Sequence, residues 1–459
     1  MTWAASVAPP LGGHKLLVFL LAITVLLVLA RCFGWLARKA GMPALVGELL
    51  TGVVLGPSIL GHLAPGITDW LLPAESEQMH LLDAVGQIGV LLLVGVTGAH
   101  LDLRLLRRRG GTAAKVSLGG LLIPLVFGLA LGAFLPTVME TGDKDRVSFA
   151  LFVGVAMCVS AIPVIAKTLT DMRLLHRNVG QLILLAGTLD DVVGWFLLSI
   201  VSAVAISGLS AGQVSLTFVY LVGFVILAAL LGRPLVGRFM KVADRSDESG
   251  PSVAAAVTVV LAGAVTTHVL RMEAVFGAFV AGILIGAVAP NKAKLAPLRT
   301  LVMSVLAPIF LATAGLRMDL TALADPTVAL AALAVLAIAI AGKFAGAYAG
   351  ARLSRMSRWE GIAIGAGMNA RGVVEVIVAM TGLRLGVLNP AMYTVFVLVA
   401  IVTSLMAPPM LRRAMAKVEH SDEERLREME HGAWIGLAPS GDKQDTGTSR
   451  KAGAGEATA

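Results

Sequence analysis

Two adjacent aspartates, Asp190 and Asp191, stand in the middle of an apolar run, GQLILLAGTLDDVVGWFLLSIV. A carboxylate at the centre of a bilayer helix costs roughly 2.5 to 3.5 kcal/mol on insertion scales, so a pair is tolerated only where it faces protein, water or an ion. The chemistry open to such a pair is ion or proton binding. Two carboxylates about 5 Å apart at an effective dielectric near 20 repel by roughly 3 kcal/mol, and desolvation adds to that. A proton or a monovalent cation relieves the same repulsion, so the two compete for one place. Alternating access turns such competition into exchange. The aspartates have no catalytic His, Ser or metal companions in the sequence, so no enzymatic activity is expected.

The other polar or helix-breaking residues inside apolar segments are few. In SFALFVGVAMCVSAIPVIAKTL, Pro163 removes a backbone donor and Ser160 can satisfy the freed carbonyls, which predicts a helix broken near mid-membrane. In EGIAIGAGMNARGVVEVIVAMTGL, Asn369, Arg371 and Glu375 lie close together with glycines at 365, 367 and 372. Arg371 and Glu375 are four apart, on one helical face, and a mutual ion pair of structural character is favoured for them over cation ligation by Glu375. Lys343, in LAIAIAGKFAGAYAGARL, lies nine residues before Arg352, about 13 Å along a helix, which is deep for snorkelling. It therefore needs a buried partner, and Asp190 or Asp191 is the natural one. Glu48, in VGELLTGVVLGPS, is assigned to a helix cap rather than to the lining of an access funnel. His62, His80, His100 and His268 fall at segment ends and offer no metal-ligand pair.

The elements that must position these residues belong to an all-α polytopic membrane protein. Hydrophobic residues make up 57% of the chain, charged residues 14%, and mean hydropathy is +0.85, values that exclude a soluble domain. The 50 glycines suit helices that approach closely in a membrane. About thirteen apolar segments can span a core of ~30 Å: 15–37, 43–61, 79–98, 114–136, 147–170, 179–206, 214–239, 252–270, 273–289, 297–317, 326–351, 359–382 and 390–413. Residues 1–14 carry no basic run and no small-residue cleavage site follows, so the first span is expected to be retained.

The net charge of +8 resides in short loops rather than on a face that would suit nucleic acid. Arg38 and Lys39, Arg104 to Lys115, Arg173 and Arg177, Arg233 to Arg245, Lys292 to Arg299, Arg352 to Arg358, and Arg412 to Lys417 all fall on one side. By the positive-inside rule the N-terminus is outside and the C-terminus cytoplasmic, as an odd span count requires. Segments five and twelve, both interrupted, are seven spans apart and so oppositely oriented. That spacing predicts inverted-topology repeats, segments four to six and eleven to thirteen, with two crossing discontinuous helices. Cys32 and Cys158 lie in separate apolar segments and are expected to be reduced. Residues 414–459 change to charged and then Gly/Ser/Thr-rich composition and are expected to form a disordered cytoplasmic tail.

The blocks GMPALVGELLTGVVLGPS, AMCVSAIPVIAKTLTDMRLL, LAGTLDDVVGWFLLSIV, LAPIFLATAGLRMDL and GMNARGVVEVIVA occur in matching order and resemble the monovalent cation:proton antiporter family. That family includes bacterial sodium/proton exchangers, glutathione-gated potassium efflux proteins and plant cation/proton exchangers. The resemblance covers nearly the whole membrane portion, 1–413. It implies a plasma-membrane homodimer whose core domain (114–206 and 326–413) moves in an elevator-like way against a dimerisation domain (15–98 and 214–317). It further implies Asp191 as the main cation and proton carrier, Asp190 beside it, and Lys343 as the lysine that pairs with the first aspartate in electrogenic members. No cofactor is implied; the partners are monovalent cations, protons and the bilayer. Asp190, where plant-type members often carry Asn, favours electrogenic exchange, whereas Glu375 four residues after Arg371 departs from the two-residue spacing of many bacterial sodium exchangers. The rival readings are a K+ efflux system or cation channel gated by a separate partner, and a non-ion solute transporter or membrane sensor; small residues around the broken segments disfavour the latter.

Overall fold

The computed structural model describes residues 12–72, 76–99, 103–141, 145–174, 177–208, 211–419 and 424. His100 and, Glu424 apart, the expected tail beyond residue 419 lie outside the described residues. Among the described residues ten helices are long and apolar enough to cross a membrane, eleven if a bent pair, Arg358–Met368 and Val373–Arg384, that turns by 43° is counted as one span. The remaining two expected segments take shorter forms. Segment 147–170 is split into Arg146–Cys158 and Ile162–Asp171, and segment 273–289 is Ala274–Val288. By length and composition alone ten or eleven of the thirteen expected segments qualify as single spans among the described residues; the other two fall short because the break at residues 159–161 divides one and the other forms a helix of 15 residues. Among the described residues the β pairing consists of one isolated bridge, Glu140 to Leu388.

Short turns apart, and with the spans Ala44–Leu63, Phe218–Ala243 and Lys292–Leu316 each made of consecutive helical pieces, the principal helices in chain order are α1 (Gly13–Lys39), α2 (Ala44–Leu55), α3 (Ser76–Ala99), α4 (Leu103–Phe134), α5 (Arg146–Cys158), α6 (Ile162–Asp171), α7 (Asn178–Ser207), α8 (Ala211–Leu227), α9 (Arg233–Ala243), α10 (Ser249–Val269), α11 (Ala274–Val288), α12 (Ala307–Leu316), α13 (Pro326–Leu353), α14 (Arg358–Met368), α15 (Val373–Arg384) and α16 (Pro390–Met415). Local sequence sets their starts. Asp145 accepts from the Ser148 amide, Asp325 from that of Thr327 and Asn389 from that of Met392, while Ser357 and Glu360 form a capping box. Each cap satisfies amides that a helix N-terminus leaves open.

The helices pack in two groups. One unites α4, α5, α7, α13, α14 and α16; the other unites α1, α2, α3, α10, α11 and α12. Glycine makes both groups tight. A Cβ on Gly119 of α4 would collide with the Gly346 carbonyl of α13, and one on Gly346 with the Gly119 carbonyl. Here the backbones touch, which only the absence of a side chain allows. Gly119→Val should therefore lower stability by about 1–3 kcal/mol, the usual range for overpacking. A thermal-unfolding midpoint in detergent equal to that of the unchanged protein would count against this packing.

Glu424 also has a fixed place. It is buried, its carboxylate accepts from the Asn178 amide at 2.6 Å, and it lies 3.2 Å from Arg177. It thus caps α7, the helix that carries the aspartate pair.

Candidate functional site

The two interruptions meet at the centre of the first helix group. α5 stops at Cys158, residues 159–161 have no helical structure, and α6 resumes with Pro163 in its first turn, where a missing amide hydrogen costs nothing. α14 stops at Met368 and α15 resumes at Val373. The breaks are joined by a backbone hydrogen bond from the Ala161 amide to the Ala370 carbonyl, 3.3 Å. The two discontinuous helices thus cross, as the opposite orientation of the segments predicts.

A helix end exposes carbonyls and the negative end of its dipole. At the end of α5 these carbonyls receive cations. Arg371 donates to the Ala156 carbonyl at 3.1 Å and to that of Met157 at 2.6 Å, and Lys343 donates to that of Cys158 at 2.5 Å. Arg371 also reaches the Ala339 carbonyl at 3.0 Å and Glu375 at 3.3 Å. Ser160, expected to satisfy the freed carbonyls of its own helix, does something else. Its hydroxyl faces the Met368 carbonyl of the other broken helix at 3.2 Å and Asp190 at 2.8 Å, and one hydrogen serves these in alternation. The reason is direction: carbonyls at the C-terminus of α5 point towards α13 and Arg371, not back along the break.

Asp190 and Asp191, adjacent in the chain and both buried in α7, end in opposite circumstances. Asp190 pairs with Lys343 at 2.5 Å and accepts from Ser117 at 2.6 Å and Ser160 at 2.8 Å. Its charge is answered. Neither oxygen of Asp191 has a hydrogen-bond partner of good geometry; the group nearest to supplying one is the Ile162 amide at the start of α6. Neighbours on a helix point about 100° apart, so one carboxylate turns towards α4 and α13 while the other turns to the open end of α6. The positive end of α6 is the mirror of the negative end of α5, which Arg371 and Lys343 occupy. A carboxylate beside such an N-terminus gains from the positive end of the helix dipole.

The Arg371–Glu375 pair is sealed at the break, as its i, i+4 spacing implies. Because Arg371 holds four backbone and side-chain acceptors while Glu375 holds only Arg371, the two should differ when altered. We expect Glu375→Gln to keep ion movement within about threefold of the unchanged protein, since neutralisation leaves the arginine on three carbonyls. Arg371→Met, leaving three buried carbonyls open at about 1–3 kcal/mol each and the Glu375 carboxylate without its counter-charge, should abolish accumulation of folded protein. Flux in vesicles and gel-filtration yield report these outcomes, and a folded Arg371→Met protein would refute the role.

Asn369 is buried; its amide nitrogen lies 3.5 Å from the Ile340 carbonyl and its oxygen has no partner. Glu48 is no cap: Pro43 occupies that position in α2, and the Glu48 carboxylate packs against Gly34 of α1. Sequence inspection missed Ser117, whose place on Asp190 follows from the α4–α7 contact alone; a serine in an apolar segment was its one visible sign. Among the described residues no cluster of His, Cys, Asp and Glu could hold a metal ion.

A cavity of about 220 Å³ lies between α3, α11, α12 and α15, on the side away from the basic loops. Asp83, Glu273, Arg317 and Arg384 line it; Arg384 reaches Glu273 at 2.8 Å and Arg317 reaches Asp83 at 2.6 Å. Ile377 lines both this cavity and a narrow one of about 10 Å³ walled by Asp191, room for about one water. Ile377 thus stands between the larger cavity and the one beside Asp191.

The sodium/hydrogen exchanger transmembrane family model matches residues 18–417. The chain is 31% identical over 406 residues to the Na+/H+ antiporter NhaS4 of Synechocystis sp., covering 87% of this chain and 97% of that protein. It is 29% identical over 399 residues to the Na+/H+-K+ antiporter GerN of Bacillus cereus, covering 86% and 95%. The solved structure of the sodium proton antiporter MjNhaP1 from Methanocaldococcus jannaschii matches with a TM-score of 0.60 at 16% identity, covering 88% of this chain and 97% of that one. At that identity the likeness concerns the fold.

Proposed function

Because the chain belongs to the sodium/hydrogen exchanger family of monovalent cation:proton antiporters, we propose that it exchanges Na+ or K+ for protons across the plasma membrane, with Asp191 as the carrier that both ions share. The observation that carries this reading is the unequal treatment of the two aspartates: Asp190 is neutralised by Lys343, and Asp191 is buried without a partner. A buried, unanswered carboxylate must acquire positive charge, and H+ or an alkali cation each supplies it. Oxygen ligands suit both Na+ and K+.

Exchange then requires that this site face each side in turn. In our reading the core is 114–206 with 326–413, and the dimerisation scaffold is 15–98 with 214–317. The two packing groups support that division, and motion of the first past the second is the elevator step. Orientation places the N-terminus outside and the C-terminus in the cytoplasm, from loop charge. A homodimer is the assembled form. If cation binding releases Asp190 from Lys343 and Lys343 then gives up its own proton, that proton and the one displaced from Asp191 make two per cation, and the cycle is electrogenic.

The test uses purified protein in liposomes holding a pH-sensitive dye. Adding Na+ or K+ should move protons in the opposite direction. Apparent cation affinity, measured for Na+, K+ and Li+ at two pH values, should rise with pH, because protons compete for Asp191. Cation current with no proton countermovement would overturn the antiport assignment and favour a channel.

A further inference from the structure

The narrow cavity beside Asp191 has walls from both helix groups. Asp191, Trp195, Val374 and Ile377 come from α7 and α15, whereas Leu93 and Thr97 come from α3. Apart from the carboxylate and the Trp195 ring, the lining is apolar but for one hydroxyl, that of Thr97. Its hydrogen is committed: the hydroxyl donates to the Leu93 carbonyl of its own helix at 2.9 Å. With the hydrogen held there, the oxygen's lone pairs remain available as acceptors only, the property that a cation ligand needs. The Asp191 carboxylate, buried with both oxygens unpartnered, lines the same space.

We propose that Thr97 is a cation-binding residue for the exchange described above, on which this inference rests: its hydroxyl oxygen ligates the transported cation from the scaffold side while Asp191 ligates it from the core. Asp191 and Thr97 stand on different helix groups, so a sliding core carries the carboxylate away from the hydroxyl. The cation then has one more ligand in the state seen here than in the opposite one. A ligand present in only one of two states gives the ion different affinities on the two faces of the membrane.

The experiment compares Thr97→Val, which keeps shape and removes the oxygen, with Thr97→Ser, which keeps the oxygen. Apparent KM for Na+ and K+ is measured in liposomes of defined protein orientation, with the cation supplied from each side in turn. Thr97→Val should raise KM about three- to tenfold from one side and less than twofold from the other, with Thr97→Ser within twofold of the unchanged protein from both. Unaltered KM in Thr97→Val, alongside active unchanged protein, overturns the inference and spares the parent reading. Equal loss from both sides, with both variants melting at lower temperature, also overturns it, because that is the signature of packing alone. Absence of exchange in the unchanged protein overturns the parent reading and this inference together.

Discussion

Asp191→Asn is expected to abolish exchange completely while leaving the protein folded. The amide has the size of the carboxylate but accepts neither a proton nor the charge of a cation, so the competition at the heart of the cycle has no site. The fold should survive because neither Asp191 oxygen has a hydrogen-bond partner, and an amide in place of an unanswered charge removes a desolvation cost. That separation makes the experiment decisive. In everted vesicles, Na+ or K+ should no longer reverse the quenching of a pH dye, whereas thermal unfolding in detergent should shift little or upward. Undiminished dequenching would show that the carrier lies elsewhere.

The second large effect concerns Asp190 and Lys343. Both are buried, and their contact is 2.5 Å. Removing one member of a buried ion pair leaves an uncompensated charge and typically costs about 3–5 kcal/mol, whereas removing both is far cheaper. Asp190→Asn and Lys343→Met should each lower stability by about that much. The double variant should recover most of it, and the coupling appears as non-additivity in a cycle of unfolding midpoints. Additive losses would show that the contact contributes nothing. Function should follow a different course: Asp190→Asn, with Lys343 intact, is expected to give weaker or electroneutral exchange. An unchanged current on a solid-supported membrane would sink the idea that the pair sets stoichiometry.

Different residues were legible to different depths. The aspartate couple and Lys343 stood out because charges are costly in apolar segments, and the depth of Lys343 forced a buried partner. The string could not decide which aspartate that partner is. The choice depends on helix rotation, which turns Asp190 towards Ser117 and Lys343 and leaves Asp191 to α6. Both breaks could be located from Pro163 and from the MNARG stretch. Their satisfaction could not, since Arg371 reaches carbonyls more than two hundred residues away in the chain. Segment 147–170 was long enough to span when counted as one helix; the three residues without helical structure at 159–161 divided it. Glu48, expected at a cap, lies within α2 because the helix begins at Ala44.

Composition, spacing and loop charge therefore determined by themselves that the chain is an all-helical membrane protein with a buried acid pair and two interrupted, oppositely directed segments. Transfer energies act residue by residue, and a linear string records them. Only the tertiary structure decided which acid is neutralised and which stands open, which cations close the end of α5, and that Thr97 shares a cavity with Asp191. Those outcomes depend on angles and distances between helices distant in sequence, and short-range electrostatics changes sign of consequence over a rotation of one residue.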